Sequence, residues 1–381
     1  MRGSVKVVRL SGIDIQIHFS WFLIFAAVTW SLATFYFPLR SHTLAAGPQW
    51  AAGSTASVLF FLSVLAHELS HAAVAKRLGY EVEGITLFIL GGMASISREA
   101  ERAREEFWIA VAGPLSSLAL GLLFGAFWVA TRNAGATFSS TGSIALWLAE
   151  MNVLLALFNL VPGYPMDGGR VLRAVVWGVS GNGWLATRVA AWVGRLFAYT
   201  LVLGGVYFLV QGAIASAVWL IAVGWFLHST ASSSYRQAAV RERLKGVAVG
   251  QAMSREYPTI APSLTLRDAF DRILQPYHLA AVPVVTDDNS LVGVLTRSSL
   301  SAIPEMDWAV TPAARAMSQP GALETVAPEE PLGELVENLD NRKIEALPVV
   351  DGGRLVGMLT RKGVRDVLRR PIVAPTKTES S

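Results

Sequence analysis

Over roughly the first 233 positions, apolar residues run in long, nearly unbroken stretches rather than in the one-sided stripe of a soluble helix. Stretches near 19–37, 55–75, 107–131, 143–161, 189–210 and 212–230 each approach the ~20 residues that carry a helix across a bilayer. The first is no cleaved signal peptide: it has no convincing small-residue cleavage site, and further spans follow it. From about residue 234 the pattern changes. Short β-rich runs alternate there with amphipathic segments, as in an ordinary soluble domain.

Composition agrees with this division. Of 381 residues, 52% are hydrophobic and 16% charged, against about 25% charged in a typical soluble domain; mean hydropathy is +0.44. The formal net charge of +4 is too small a surplus for a nucleic-acid binder, so nucleic acid is excluded as a partner. Cysteine is absent, which removes disulfides, thiol nucleophiles and thiolate metal sites together. A metal in this chain must be held by His, Asp or Glu.

Lys and Arg set the orientation. Lys76, Arg77, Arg98, Arg102 and Arg104 separate the second and third apolar stretches, Arg170 and Arg173 follow the fourth, and Arg236, Arg241, Arg243 and Lys245 follow the sixth. The positive-inside rule then puts both termini in the cytoplasm with about six spans. A linker is expected at 234–247, two soluble modules at 248–304 and 312–370, and a disordered tail at 371–381. The modules are an internal repeat: Ala252-Met253-Ser254 recurs as Ala316-Met317-Ser318, Pro283-Val284-Val285 as Pro348-Val349-Val350, and LVGVLTR at 291–297 as LVGMLTR at 355–361. In each copy an amphipathic helix, near 265–275 and 331–341, precedes the β-rich run.

Two motifs carry chemistry. Within the second stretch lies His67-Glu68-Leu69-Ser70-His71, an H-E-x-x-H pattern. Residues four apart share a helix face, so His67 and His71 can ligate one Zn²⁺, and Glu68 beside them is placed as general base toward water. Ionisable groups inside a membrane helix are costly unless partnered, which favours function over coincidence. A catalytic zinc takes three protein ligands. The third is expected from Asp167, in the run Asn159–Gly169, whose prolines and glycines break the helix at the end of the fourth stretch; irregular backbone at that depth must line protein or a wet cavity. His67 lies about ten residues before the cytoplasmic Lys76, roughly 15 Å inside that face, and Asp167 lies toward the same face.

H-E-x-x-H in one span with N-x-x-P-x-x-P-x-D-G-G in another resembles the site-2 proteases, the intramembrane zinc metalloproteases, over about residues 10–230. The resemblance implies one Zn²⁺ per chain on His67, His71 and Asp167, Glu68 as catalytic base, and Asn159 as a group that positions or polarises the scissile carbonyl. It also implies that Gly91-Gly92 belongs to a membrane-associated β segment beside the site, where an edge strand within 82–97 could hold substrate extended. Ala112-Gly113-Pro114 matches the family's A-G-P motif, read as a packing feature. The repeat resembles a tandem pair of CBS modules, βαββα units that pack in twos and often sense adenine nucleotides. In nucleotide-binding copies an Asp follows the Thr by three positions to contact ribose; here Ser299 and Gly363 stand there. That departure counts against an adenine nucleotide and leaves two readings of the pair open, a regulatory ligand-sensing module and a structural or dimerising one.

The fold expected is therefore a polytopic α-helical membrane protein with a small membrane-associated β segment and a soluble α/β tandem CBS pair. The function expected is intramembrane proteolysis of a single-span membrane protein, by analogy an anti-sigma factor or signalling precursor, in the cell membrane. The rivals are a CBS-regulated transporter or channel and an inactive protease-like scaffold. The first would need a pore lined by charged or broken helices, and the second is disfavoured by an intact Glu68.

Overall fold

The computed structural model describes residues 3–10, 12–40, 46–89, 91–96, 98–133, 140–318, 325–333, 335 and 346–369. The chain forms two units, Met1–Arg236 and Gln237–Ser381. The tail at 371–381 and most of the amphipathic segment near 331–341 lie outside the described residues.

In the first unit, β1 (Ser4–Leu10) and β2 (Ile13–His18) form a hairpin that leads at once into α1 (Ser20–Ser31), which continues through a π-helical turn, Leu32–Tyr36, into α2 (Phe37–Arg40). Helix α3 (Ala46–Arg77) is followed by β3 (Val82–Phe88) and β4 (Gly91–Ile96). The four strands make one sheet in the order β1-β2-β3-β4, antiparallel except for the β2–β3 pair. The β segment extends beyond the edge strand expected within 82–97, because the strictly alternating Ile13, Ile15 and Ile17 of β2 join it and bury Ile13 and Ile15. Within 82–97, β3 is interior and β4 alone is a free edge.

Four further helices complete this unit: α4 (Ala103–Asn133), α5 (Ser140–Asn159), α6 (Asp167–Ser180) and α7 (Gly183–Val210). Helix α8 (Ile214–Leu244) begins in it. Among the described residues six helices are long and apolar enough to span a membrane: Ser20–Leu39, Gly47–Arg77, Ala103–Thr131, Thr141–Asn159, Gly183–Val210 and Ile214–Leu244. Their outward Leu, Val, Phe and Trp side chains are exposed, as a lipid-facing surface requires. Helix α4 packs against α3, α5 and α6. Close approach comes from small residues, as expected where dispersion rather than hydrophobicity joins helices. Gly121 of α4 faces Val153 and the Ala149 carbonyl of α5, and Gly224 of α8 faces the Ala198 carbonyl of α7.

The expected linker at 234–247 is mostly helix, since α8 runs on to Leu244, which is buried in the core of the second unit. That unit contains α9 (Val249–Ala252), α10 (Leu266–Ala269) with a π-helical extension Phe270–Leu274, the hairpin β5 (Ala281–Val285) and β6 (Leu291–Thr296), α11 (Arg297–Leu300), α12 (Ala313–Ala316), the hairpin β7 (Ala346–Asp351) and β8 (Arg354–Thr360), and α13 (Arg361–Arg369). The two repeats interleave. Val249 and Ala252 pack with Val349 and Leu359 of the second copy, and Ala313 packs with Val284 and Leu295 of the first. Ser254 bridges to Met358, and Ser318 to Val294. Each A-M-S motif therefore completes the other copy's hairpin. Gly293 and Gly357 recur for this reason: a Cβ at either would strike the Met317–Ser318 or the Met253–Ser254 segment.

Candidate active site

Helix α3 presents His67 and His71 one turn apart, each 4% exposed. The segment after α5 turns back through Pro162 and Pro165 and begins α6 at Asp167. Three glycines make this fold-back possible. A Cβ on Gly168 would overlap the Leu160 carbonyl, one on Gly169 would overlap Gly163, and one on Gly194 of α7 would overlap the Tyr164 carbonyl. The D-G-G run is thus a steric device. It lets the first turn of α6 nest in the loop before it, which is how Asp167 reaches α3. Met166 anchors the same turn, buried against Ala198 of α7 and Leu227 of α8.

The three side chains converge. Asp167 Oδ2 lies 3.1 Å from His67 Nε2 and 3.2 Å from His71 Nε2, and the two Nε2 atoms are 3.2 Å apart. This near-equilateral triangle fits one face of a metal tetrahedron: ligands at 2.0–2.1 Å from zinc are spaced about 3.3 Å apart. Among the described residues these are the group of His, Asp and Glu able to hold a metal ion. The far ring nitrogens are also engaged. His71 Nδ1–H donates to the Ile109 carbonyl at 2.6 Å, and His67 Nδ1 lies 2.9 Å from Ser117 Oγ. Both partners are on α4. A carbonyl can only accept, so His71 carries a proton on Nδ1, and in the neutral ring this leaves a lone pair on Nε2 for the triangle.

Glu68 is half-buried and lies against β4: a Cβ on Gly92 would collide with its Cγ, and the backbone of Ala94 faces its carboxylate. Gly91 starts β4 at φ +127° with open space around it. The two glycines therefore differ. Gly91 supplies a backbone conformation, and Gly92 leaves room for the glutamate. Gly113 of α4 does the same for the histidines, since a Cβ there would overlap His71 Nε2 and come within 2.6 Å of His67 Nε2. The A-G-P motif read as packing thus makes room for the ring nitrogens themselves. Asn159 closes α5, half-buried, and among the described residues no hydrogen bond holds its amide. His18 ends β2, with Nδ1 2.8 Å from Ser20 Oγ.

Helix α6 is held by an ion pair that the sequence did not announce. Arg173 donates to Glu106 of α4 at 2.6 Å and to Thr187 Oγ1 of α7 at 2.8 Å; Glu106 is 2% exposed. Replacing Arg173 by Met would leave a buried carboxylate unpaired. The expected loss is about 3–5 kcal/mol of stability, read by denaturation in detergent. An unchanged midpoint would mean that the pair does not clamp α6.

With this geometry in view, the relatives are informative. Residues 55–134 and 129–204 match the model of peptidase family M50, and residues 249–303 and 316–370 match the CBS domain. Rip3 of Mycobacterium tuberculosis is 34% identical over 100% of this chain and 97% of its own length. The chain belongs to peptidase family M50. Zinc metalloprotease MJ0392 of Methanocaldococcus jannaschii is 27% identical over 100% of this chain and 99% of its own. Among solved structures, the site-2 protease from Methanocaldococcus jannaschii matches 61% of this chain and 95% of its own, with 28% identity and a TM-score of 0.41. The M50 membership makes this a multi-pass, site-2 protease-like metalloprotease with a CBS pair.

Proposed function

We propose that this M50 chain is a zinc-dependent intramembrane endopeptidase that hydrolyses a peptide bond in or near the transmembrane segment of a membrane-protein substrate. The observation that carries this reading is the His67–His71–Asp167 triangle with a carboxylate, Glu68, beside it. One Zn²⁺ suits two imidazoles and a carboxylate, and when bound it supplies Lewis acidity that activates water and polarises a carbonyl. Glu68 accepts the proton from the attacking water and returns it to the leaving amine. Asp167 and the histidines hold the site together, α4 orients their rings, and Asn159 steadies the scissile carbonyl.

The scissile bond must be exposed, so a helical substrate has to unwind. The free edge of β4, whose Gly92 and Ala94 border Glu68, offers a strand to which an unwound segment can add. Ile96→Pro, which removes an N–H from the same side of β4 while leaving the Ala94 backbone beside Glu68 intact, is therefore expected to lower cleavage of a reconstituted substrate at least tenfold while bound zinc stays at the wild-type level. Loss of zinc in that variant, or cleavage at the wild-type rate, would refute the pairing.

The positive-inside pattern supports a cell-membrane location with both termini cytoplasmic. By analogy the substrate is a single-span protein such as an anti-sigma factor or signalling precursor. The CBS pair is the regulatory module of this reading and a means of homodimerisation. Its second copy is poorly suited to an adenine nucleotide: Thr360 Oγ1 accepts the Gly363 N–H at 3.1 Å, and a Cβ on Gly363 would overlap the Ala252 carbonyl. An aspartate at 363 would need a different backbone.

A further inference from the structure

The two histidines are oriented by different kinds of partner. His71 uses the Ile109 carbonyl, which no substitution removes. His67 uses a side chain, Ser117 Oγ, at 2.9 Å. Ser117 is completely buried, as is Asn152 of α5. Asn152 donates to Leu148 O at 2.8 Å and to Ser63 Oγ at 3.3 Å, and Ser63 stands one turn before His67 on α3. The Asn152 Oδ1 atom is buried without a hydrogen-bond partner among the described residues. Polar groups this deep between membrane helices are costly and are retained where they serve a site.

We propose that Ser117 is a positioning residue for the metal centre. A lone pair on His67 Nε2 must face Asp167 and the ion, so the ring proton sits on Nδ1 and is donated to Ser117 Oγ. That bond fixes both the tautomer and the ring plane of His67. Outer-shell partners of this kind change metal affinity by about 10–100-fold when removed. Among the described residues the serine hydroxyl is thus the one side-chain partner of the two far ring nitrogens, and it sets how tightly the site holds its metal. This inference rests on the zinc reading above.

The test compares Ser117→Ala, Ser117→Thr and Ser63→Ala in the full-length protein in detergent. Zinc affinity is measured by chelator competition, and the visible spectrum of the cobalt(II)-loaded protein is recorded. Ser63→Ala removes a neighbouring buried hydroxyl that does not touch His67. The expected result is a 10–100-fold rise in the zinc Kd for Ser117→Ala with an altered cobalt spectrum. Wild-type values are expected for Ser63→Ala, and recovery for Ser117→Thr. At saturating zinc, Ser117→Ala should keep the wild-type KM. Equal zinc affinity in wild type and Ser117→Ala would overturn the inference and leave the protease reading standing. Equal weakening by Ser63→Ala would reduce Ser117 to a packing role. Wild-type protein that holds no zinc would overturn both readings.

Discussion

Glu68→Gln is expected to abolish cleavage while leaving the metal centre loaded. The substitution removes the group that takes and returns the proton, and general acid–base catalysis is worth about 10²–10⁴-fold. It does not touch the triangle, because the ligand atoms belong to His67, His71 and Asp167, and Gln occupies nearly the same volume beside Gly92. Zinc content should therefore match wild type, and uncut substrate should accumulate in membranes expressing the variant. Cleavage at the wild-type rate would remove Glu68 from the chemistry. Lost zinc with lost cleavage would make it a structural residue. A CBS-regulated transporter or channel predicts no change in any substrate's length, so the same assay separates the rivals.

The second large effect comes from a residue with no functional group. Gly113→Ala would introduce one methyl where the Nε2 atoms of both histidines lie. Neither the helix nor the rings can yield easily. Gly113 is flanked by Pro114 in α4, and both rings are tied to that same helix through Ile109 and Ser117. The expected result is protein that inserts and purifies but retains under a tenth of the wild-type zinc, with cleavage lost in proportion. Gly125→Ala is the control, because a Cβ there meets only the Ala149 methyl at 3.8 Å. Full zinc in Gly113→Ala would mean that the rings sit elsewhere in the functioning protein.

How far the sequence reveals this protein depends on the length scale of each feature. The six spans are legible because a lipid-facing helix needs some twenty apolar residues in a row, a demand met by composition alone. His67, Glu68 and His71 are legible because four-residue spacing fixes one helix face, and Asp167 because an acid after Pro162 and Pro165 interrupts an apolar run. The steric devices are not. That Gly92, Gly113 and Gly168 are glycines for the sake of Glu68, the histidines and the Leu160 carbonyl depends on which helices and strands meet, and no local pattern encodes that. Ser117 looks like any small residue in a membrane helix until α4 is laid against α3. The β1–β2 hairpin left a readable trace in the alternating Ile13, Ile15 and Ile17, overshadowed by the apolar stretch after it. The interleaving of the CBS copies leaves none, since a repeat unit in sequence need not be the packing unit in space.

Zinc-edge X-ray absorption of the purified wild-type protein, beside Asp167→Ala, tests the central claim most directly. The account predicts one zinc per chain in wild type with two imidazole nitrogens and oxygen at about 2.0–2.1 Å, and loss of the ion or a changed oxygen shell in Asp167→Ala. Zinc bound identically in both, or a shell with fewer than two imidazoles, would contradict a centre built from His67, His71 and Asp167.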